Sequence, residues 1–448
     1  MKVEACLGYV LGIVLATLVN SVFSSAYSQN VGFSDVDDIS NILPVRARVA
    51  YMNEVIESRI AHLLPGMMER HGIDLWFVID RENNKDPVSA TLFNHRAPQF
   101  TGQSIILHNE GNGKGIRRYR GGIARLKTLI EELNPKTVGI NTSDLWNNGD
   151  GLTKGLYDRL VSSLGSSEDR LVSAENLSNE WLETKTDREL TTYRHVAGVT
   201  HDIISEAFSN KAIVPGITTV DDISWWIAQR MADLGITPRF FIVEIQRSPK
   251  DRARYGNSSV GLEFSEDAKL SGDVVIQRGD IIHSDIGMEY LGLNTDNQHH
   301  AYVLREGEVD VPDGLKQALR NSNRLQDIFL SEFVEGRSGN EITARTLQRA
   351  RSEGLKPMVY THPIGYHQHS GGTIMGADSE FAQQNPLPKA EYPLHYNTAW
   401  SIELETISSV PEWDDLEVEI ALEEQGGFTK DRGAYFIDGR QTRWFLIR

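Results

Sequence analysis

Two aspartates set eleven positions apart, in a run that reads as a hairpin, constrain this chain more than any other feature. Asp285 and Asp296 lie within the stretch 279–303, each in a segment with strand character. Tyr290 and Leu291 mark the midpoint, with Gly292 just beyond. A reversal there sets the two acids opposite each other, with Cβ atoms roughly 5 Å apart. Two ionised carboxylates at that distance repel, so the pairing needs a cation between them or a proton on one of them. A solvated hairpin whose acids point into water is the competing reading.

The bulk numbers narrow the partners. A chain of 448 residues has length for one very large domain or two, and 40% hydrophobic with 24% charged residues is ordinary for a globular protein. A net charge of −17 disfavours nucleic acid and anionic membrane surfaces, which both need basic patches. Residues 1–28 read as a secretory signal: Lys2, an apolar run from Leu7 to Val19, then Ala26-Tyr27-Ser28 as a cleavage pattern. Residence outside the cell or in a periplasm is therefore expected, with no membrane insertion after cleavage. The single cysteine, Cys6, falls inside that segment, so the mature chain is expected to have no disulfide, catalytic thiol or Cys-ligated zinc.

Along the chain, apolar residues at helical spacing over 46–70 precede a buried strand from Ile73 to Ile79. A hairpin is expected over 104–119 around the glycine cluster 110–115, which reads as a turn because no helix follows it closely. Helices over 123–133 and 151–164 flank a strand at 137–140. This alternation predicts a small α/β domain over residues 40–175. Asn141, Asn176 and Asn257 begin N-x-S/T sequons. A second unit, 181–448, opens with a capping box, Thr186 and Glu189, and a helix to about Phe208. Another helix starts at Thr219 and Asp222 and stops at Gly235; its Trp225-Trp226 pair is expected in the core. A strand over 240–245, two helices over 315–333 and 339–354, and strands and turns beyond Met358 complete the reading.

Three later clusters join the aspartates. His362, His367 and His369 crowd one short segment; Glu403 lies in the alternating strand 400–405; Glu417 and Glu419 share a face of the strand 416–420. An acid inside an apolar strand usually needs a partner. In the order Asp285, Asp296, His362, Glu403, Glu419, the set resembles the M24 metallopeptidase family, which includes methionine aminopeptidase, aminopeptidase P and prolidase. Gly279-Asp280-Ile281 through Asp285-Ile286-Gly287 is similar to the family's first aspartate strand. His362-Pro363-Ile364-Gly365 is similar to its H-G-I-G segment, with His369 seven residues on. Ile402-Glu403 resembles its T-x-E-P strand without the proline.

The resemblance implies an α+β fold: a C-terminal pita-bread (creatinase/aminopeptidase) domain preceded by the smaller α/β domain. It implies two divalent metal ions held by Asp285, Asp296, His362, Glu403 and Glu419. Four carboxylates and one imidazole suit Mn²⁺ best, with Fe²⁺, Co²⁺ or Zn²⁺ as alternatives. Such a pair activates a bridging hydroxide and stabilises the oxyanion that follows. Glu403 would relay the proton and His369 would hydrogen-bond the intermediate. The implied activity is exopeptidase cleavage at peptide N-termini, X-Pro bonds included, and the implied partners are peptides and, as in many family members, a homo-oligomer. Two departures stand out. No histidine occurs between Phe240 and Ile282, where the family has one. Glu417 stands two residues before Glu419, where the proline-specific branch often has arginine. A creatinase-like metal-independent hydrolase and an inactive peptide-binding module remain the alternatives.

Overall fold

The computed structural model describes residues 42–95, 103–255, 274–377 and 385–448. The expected leader, Cys6 and Asn257 lie outside them, as do the other residues of 256–273. The described residues form one compact unit, and no helix among them is long and apolar enough to cross a membrane.

The chain first forms helices α1 (Val45–His62) and α2 (Leu64–Arg70), divided at Leu63 just before Pro65 rather than continuous as the periodicity predicts. Strands β1 (Leu75–Ile79), β2 (Ser104–Asn109) and β3 (Ile116–Arg120), helix α3 (Ile123–Leu133), strand β4 (Val138–Ile140), helix α4 (Lys154–Leu164), strand β5 (Leu171–Ser173) and helix α5 (Glu175–Glu183) follow. The five strands make a mixed sheet in the order β3-β2-β1-β4-β5. Its β2–β3 hairpin turns through the glycine cluster as expected. Asn141, just past the end of β4, is buried, accepting from Trp76 and Ser178 and donating to Asp86, so this sequon is spent on the core, whereas Asn176 is exposed.

Helix α6 (Asp187–Ala207) carries the expected capping box of Thr186 and Glu189, and α7 (Val220–Asp233) has its own, Thr219 with Asp222. Trp226 packs against the core, but Trp225 is 61% exposed, contrary to expectation. The pair sits on consecutive positions of one helix, about 100° apart, so both cannot face the same side.

The remaining elements are β6 (Thr237–Gln246), α8 (Pro249–Tyr255), β7 (Ile281–Tyr290), β8 (Leu293–Val303), α9 (Asp313–Ser331), α10 (Gly339–Ser352), β9 (Pro357–Pro363), β10 (Met375–Gly376), β11 (Thr398–Val410), β12 (Leu416–Thr429), β13 (Gly433–Phe436) and β14 (Phe445–Ile447). They build a nine-stranded sheet in the order β10-β9-β11-β12-β8-β7-β6, with β13 beside β12 and β14 beside β8. Every residue of β8 is buried, so its polar side chains must be answered from within the protein.

Candidate metal centre

The β7–β8 hairpin turns at Leu291-Gly292, both with positive φ (58° and 75°), closing directly on the pair Tyr290–Leu293. A two-residue loop with two positive φ values matches the right-handed twist of its strands. This moves the register from the symmetric one expected. Asp285 faces Gln298, and Asp296 faces Gly287, so the two acids are diagonal neighbours on one face rather than direct opposites.

The sheet carries this row onward. Gln298 pairs with Glu423 on β12, and Glu423 pairs with Glu403 on β11. Asp285, Gln298, Glu423 and Glu403 therefore stand side by side on adjacent strands and one face. One rung away, Asp296 joins Ser401 and His362, which pair across β11 and β9. His362 Nε2 lies 3.6 Å from Asp296 Oδ2 and 3.7 Å from Glu423 Oε1. Ser401 donates its hydroxyl to Glu423. Gly287, opposite Asp296, leaves space that a Cβ would fill at 2.2 Å from Gln368 Nε2; that amide crosses here to donate to Thr295 O.

Four of the five expected ligands meet here, and the fifth place is taken by Glu423. Glu419 stands four residues up β12, roughly 13 Å away along the strand, opposite Ile407, with its backbone N–H donating to Gln246. Its carboxyl neighbours Glu405, whose own pKa is pushed up to about 9 by burial and by Glu419. Correcting Glu419 to Glu423 moves the position two residues earlier from Glu417 to Ala421. Glu417 itself pairs with Lys356 at the surface.

The electrostatics are those of an unneutralised cluster. Burial, then the neighbouring acids, raises Asp285, Asp296, Glu403 and Glu423 well above ordinary carboxyl values. Asp285 Oδ1 and Asp296 Oδ1 are buried with no hydrogen-bond partner. Burial holds His362 down at about 4, a neutral imidazole at pH 7 with an in-plane lone pair to offer. Orphaned oxygens, crowded buried acids and a neutral histidine fit a bound divalent cation, and Asp285, Asp296, His362, Glu403 and Glu423 are the residues that would hold it.

His369 lies flat on His362, ring centroids 3.9 Å apart and 8° from parallel. The loop doubles back to place it: Gly365 N–H donates to His367 O and Ser370 N–H to Pro363 O, while Asn148 donates to His369 O. Burial, His362 and Lys389 hold His369 at about 4. His367 Nε2 donates to Pro87 O, tying the same loop to the first half of the chain.

A second cluster stands on the reverse face. Glu424 points away from Glu423 and is gripped by His201 Nε2 and His299 Nε2, both at 2.8 Å, by Asn297 Nδ2 at 3.0 Å and by Gln441 N–H at 2.8 Å. Asp438 holds His201 Nδ1 at 3.1 Å. The two rings are stacked 5.2 Å apart, and each takes a different oxygen. With each ring nitrogen already at hydrogen-bond distance from its own oxygen, the arrangement is a clamp on a carboxylate. Despite burial, the histidines pull Glu424 down to about 2, and the two acids lift His201 to about 10.

No protein-family model matches the chain, and no curated protein sequence does. Solved structures do match. An X-Pro aminopeptidase from Thermotoga maritima superposes with a TM-score of 0.58 at 18% identity, over 84% of this chain and 99% of that one. A prolidase from Thermococcus sibiricus gives 0.55 at 13% identity over 89% and 99%, and a Xaa-Pro dipeptidase from Bacillus anthracis 0.52 at 14% over 89% and 99%. At these identities the likeness is one of fold.

Proposed function

We propose that this chain, which carries the pita-bread fold of X-Pro aminopeptidases and prolidases, is a metal-dependent exopeptidase that removes N-terminal residues from peptides, X-Pro bonds among them. The observation that carries this reading is the cluster of four buried carboxyls with raised pKa around neutral His362, two of their oxygens unpartnered. Two divalent ions, Mn²⁺ by the hardness of the donor set, would supply Lewis acidity and a water of lowered pKa.

The chain's own groups do the rest. His369, neutral at pH 7, has an N–H to offer a developing oxyanion, and its stack on His362 fixes where it points. Glu403, raised in pKa by burial and Glu423, is suited to take a proton on one oxygen and pass it to the leaving amine. The apolar run at residues 7–19 supports export. The test is direct. Metal content is measured on the purified protein, and X-Pro peptides are assayed with Mn²⁺ and with a chelator. Turnover that Mn²⁺ restores after chelation is expected. Turnover indifferent to chelation refutes metal dependence, and a metal-loaded protein that cleaves no peptide refutes the peptidase reading.

A further inference from the structure

Gln298 is the one member of the row Asp285–Gln298–Glu423–Glu403 that cannot ionise. It is 2% exposed, so both ends of its amide must be answered inside the site. They are: Nε2 donates to Glu403 Oε1 at 2.8 Å, reaching past Glu423, and Oε1 accepts from His283 Nε2 at 3.2 Å. Reversing the amide would set its carbonyl oxygen against the Glu403 carboxylate, so Glu403 fixes the amide and the amide in turn makes His283 Nε2 the nitrogen that donates. The hydrogen-bond chain thus selects one orientation. His283 is itself fixed. Its ring lies 4.9 Å from His300, which donates to Ala421 O at 2.7 Å, and Glu244 Oε2 lies 3.6 Å from its other nitrogen.

We infer that Gln298, held by His283, is a positioning residue for Glu403: it takes up Oε1 and leaves Oε2 as the oxygen free to face a divalent cation. The inference rests on the metal reading above. A carboxylate with one oxygen committed to an amide is confined to one-point attachment. Without that amide it can rotate or chelate through both oxygens, and the carboxyl loses the placement that proton transfer needs. Side chains that orient metal ligands from behind typically matter by about 10–100-fold in affinity or activity.

The experiment is calorimetric titration of Mn²⁺ into the metal-free full chain and into Gln298→Met, His283→Phe and the double variant. Gln298→Met keeps length and removes the amide. One of the two Mn²⁺ equivalents should weaken by about 10–100-fold while the other stays close to wild type. His283→Phe should produce a smaller loss, and the double variant should match Gln298→Met alone, because His283 acts through the amide. At saturating Mn²⁺, kcat on an X-Pro peptide should fall with KM unchanged. Should Gln298→Met fail to fold, Gln298→Asn, whose amide falls one methylene short, carries the same expectation. Wild-type affinity at both equivalents in either variant, or additive losses in the double variant, overturns the inference and leaves the peptidase reading standing. A wild-type protein that binds two Mn²⁺ but cleaves no peptide has the reverse effect, and one that binds none overturns both.

Discussion

Glu423 and Glu424 are consecutive, both fully buried, and should respond oppositely to neutralisation. On one face, Glu424 is an ionised carboxylate with four donors. A carboxyl held at about 2 against an ordinary 4.5 corresponds to about 3 kcal/mol of stability at neutral pH, in the range found on breaking a buried ion pair. Glu424→Gln leaves protonated His201 facing an amide, so a fall in Tm of about 3–5 °C is expected for a unit of this size. On the other face, Glu423 is raised well above the usual range by burial and by Asp296. Glu423→Gln removes one of four crowded acids, so the metal-free protein should melt no lower than wild type, and it should fail to take up Mn²⁺. Glu424→Gln should still bind Mn²⁺. The pH dependence follows from the shifts. Glu424's contribution is full above its unfolded pKa and fades as pH falls towards about 2. His201's raised pKa gives stability that is full below its unfolded value and lost as pH rises through about 10. The wild-type advantage over Glu424→Gln should therefore be largest between about pH 4.5 and 6.5. Scanning calorimetry of both variants with chelator, across that range, is the assay. Equal destabilisation by the two substitutions would refute the assignment of opposite roles to the two faces.

Asp296→Ala should abolish Mn²⁺ uptake while the chelated protein melts at or above the wild-type temperature, since burial and Asp285 are what raise its pKa. Lys185 is fully buried, donates to Leu182 O and Glu183 O, and is lowered to about 7 by burial. The unfolded chain then holds this proton where the folded one does not, so Lys185's contribution to stability rises between pH 7 and 10 and opposes the loss from His201, and Lys185→Met should make stability fall more steeply than in wild type over that range in pH-dependent melting. Gly287→Ala puts a methyl 2.2 Å from Gln368 Nε2 and 2.4 Å from Phe240. A loss of about 1–3 kcal/mol is expected by denaturant titration, with weaker Mn²⁺ binding, because Asp296 lies directly opposite.

Much of the site was legible because strand alternation and the aspartate spacing are local signals. Helix ends such as Thr186 and Thr219 were legible for the same reason: a cap announces itself within three residues. What failed depended on pairing between distant strands. The hairpin register turned on whether Leu291 would accept a positive φ, which the acids on either side do not encode. The strand 416–429 holds four glutamates, at 417, 419, 423 and 424, and alternation puts three of them on one face. Only the register of β12 against β11 and β8 decides which of those three lies at the centre and which overhangs. Glu424 was passed over because its partners come from β8, the far end of the chain and α6, which no local pattern connects. Gln298 was passed over because an amide carries no charge signal, although its place two residues after Asp296 puts it on the same face.

The register also decides what can be said of substrate preference. With Glu419 as the last ligand, Glu417 would have lined the site as an acid hostile to a substrate carboxylate. With Glu423 there instead, the equivalent position is Ala421, buried, on the same face as Glu423 and opposite Glu405. Alanine offers neither attraction nor repulsion, so the sequence argument against short peptides with a free C-terminus lapses. Glu417 is exposed and engaged with Lys356, an ion pair of the kind worth under about 1 kcal/mol. Glu417→Ala should therefore leave unchanged the ratio of kcat/KM for an X-Pro dipeptide to that for its C-terminally amidated form. Ala421→Glu should shift that ratio towards the amide, because the new acid faces the site. A shift of severalfold in Glu417→Ala, with none in Ala421→Glu, would mean that β12 pairs four residues out of the register described and that Glu419 is the ligand after all.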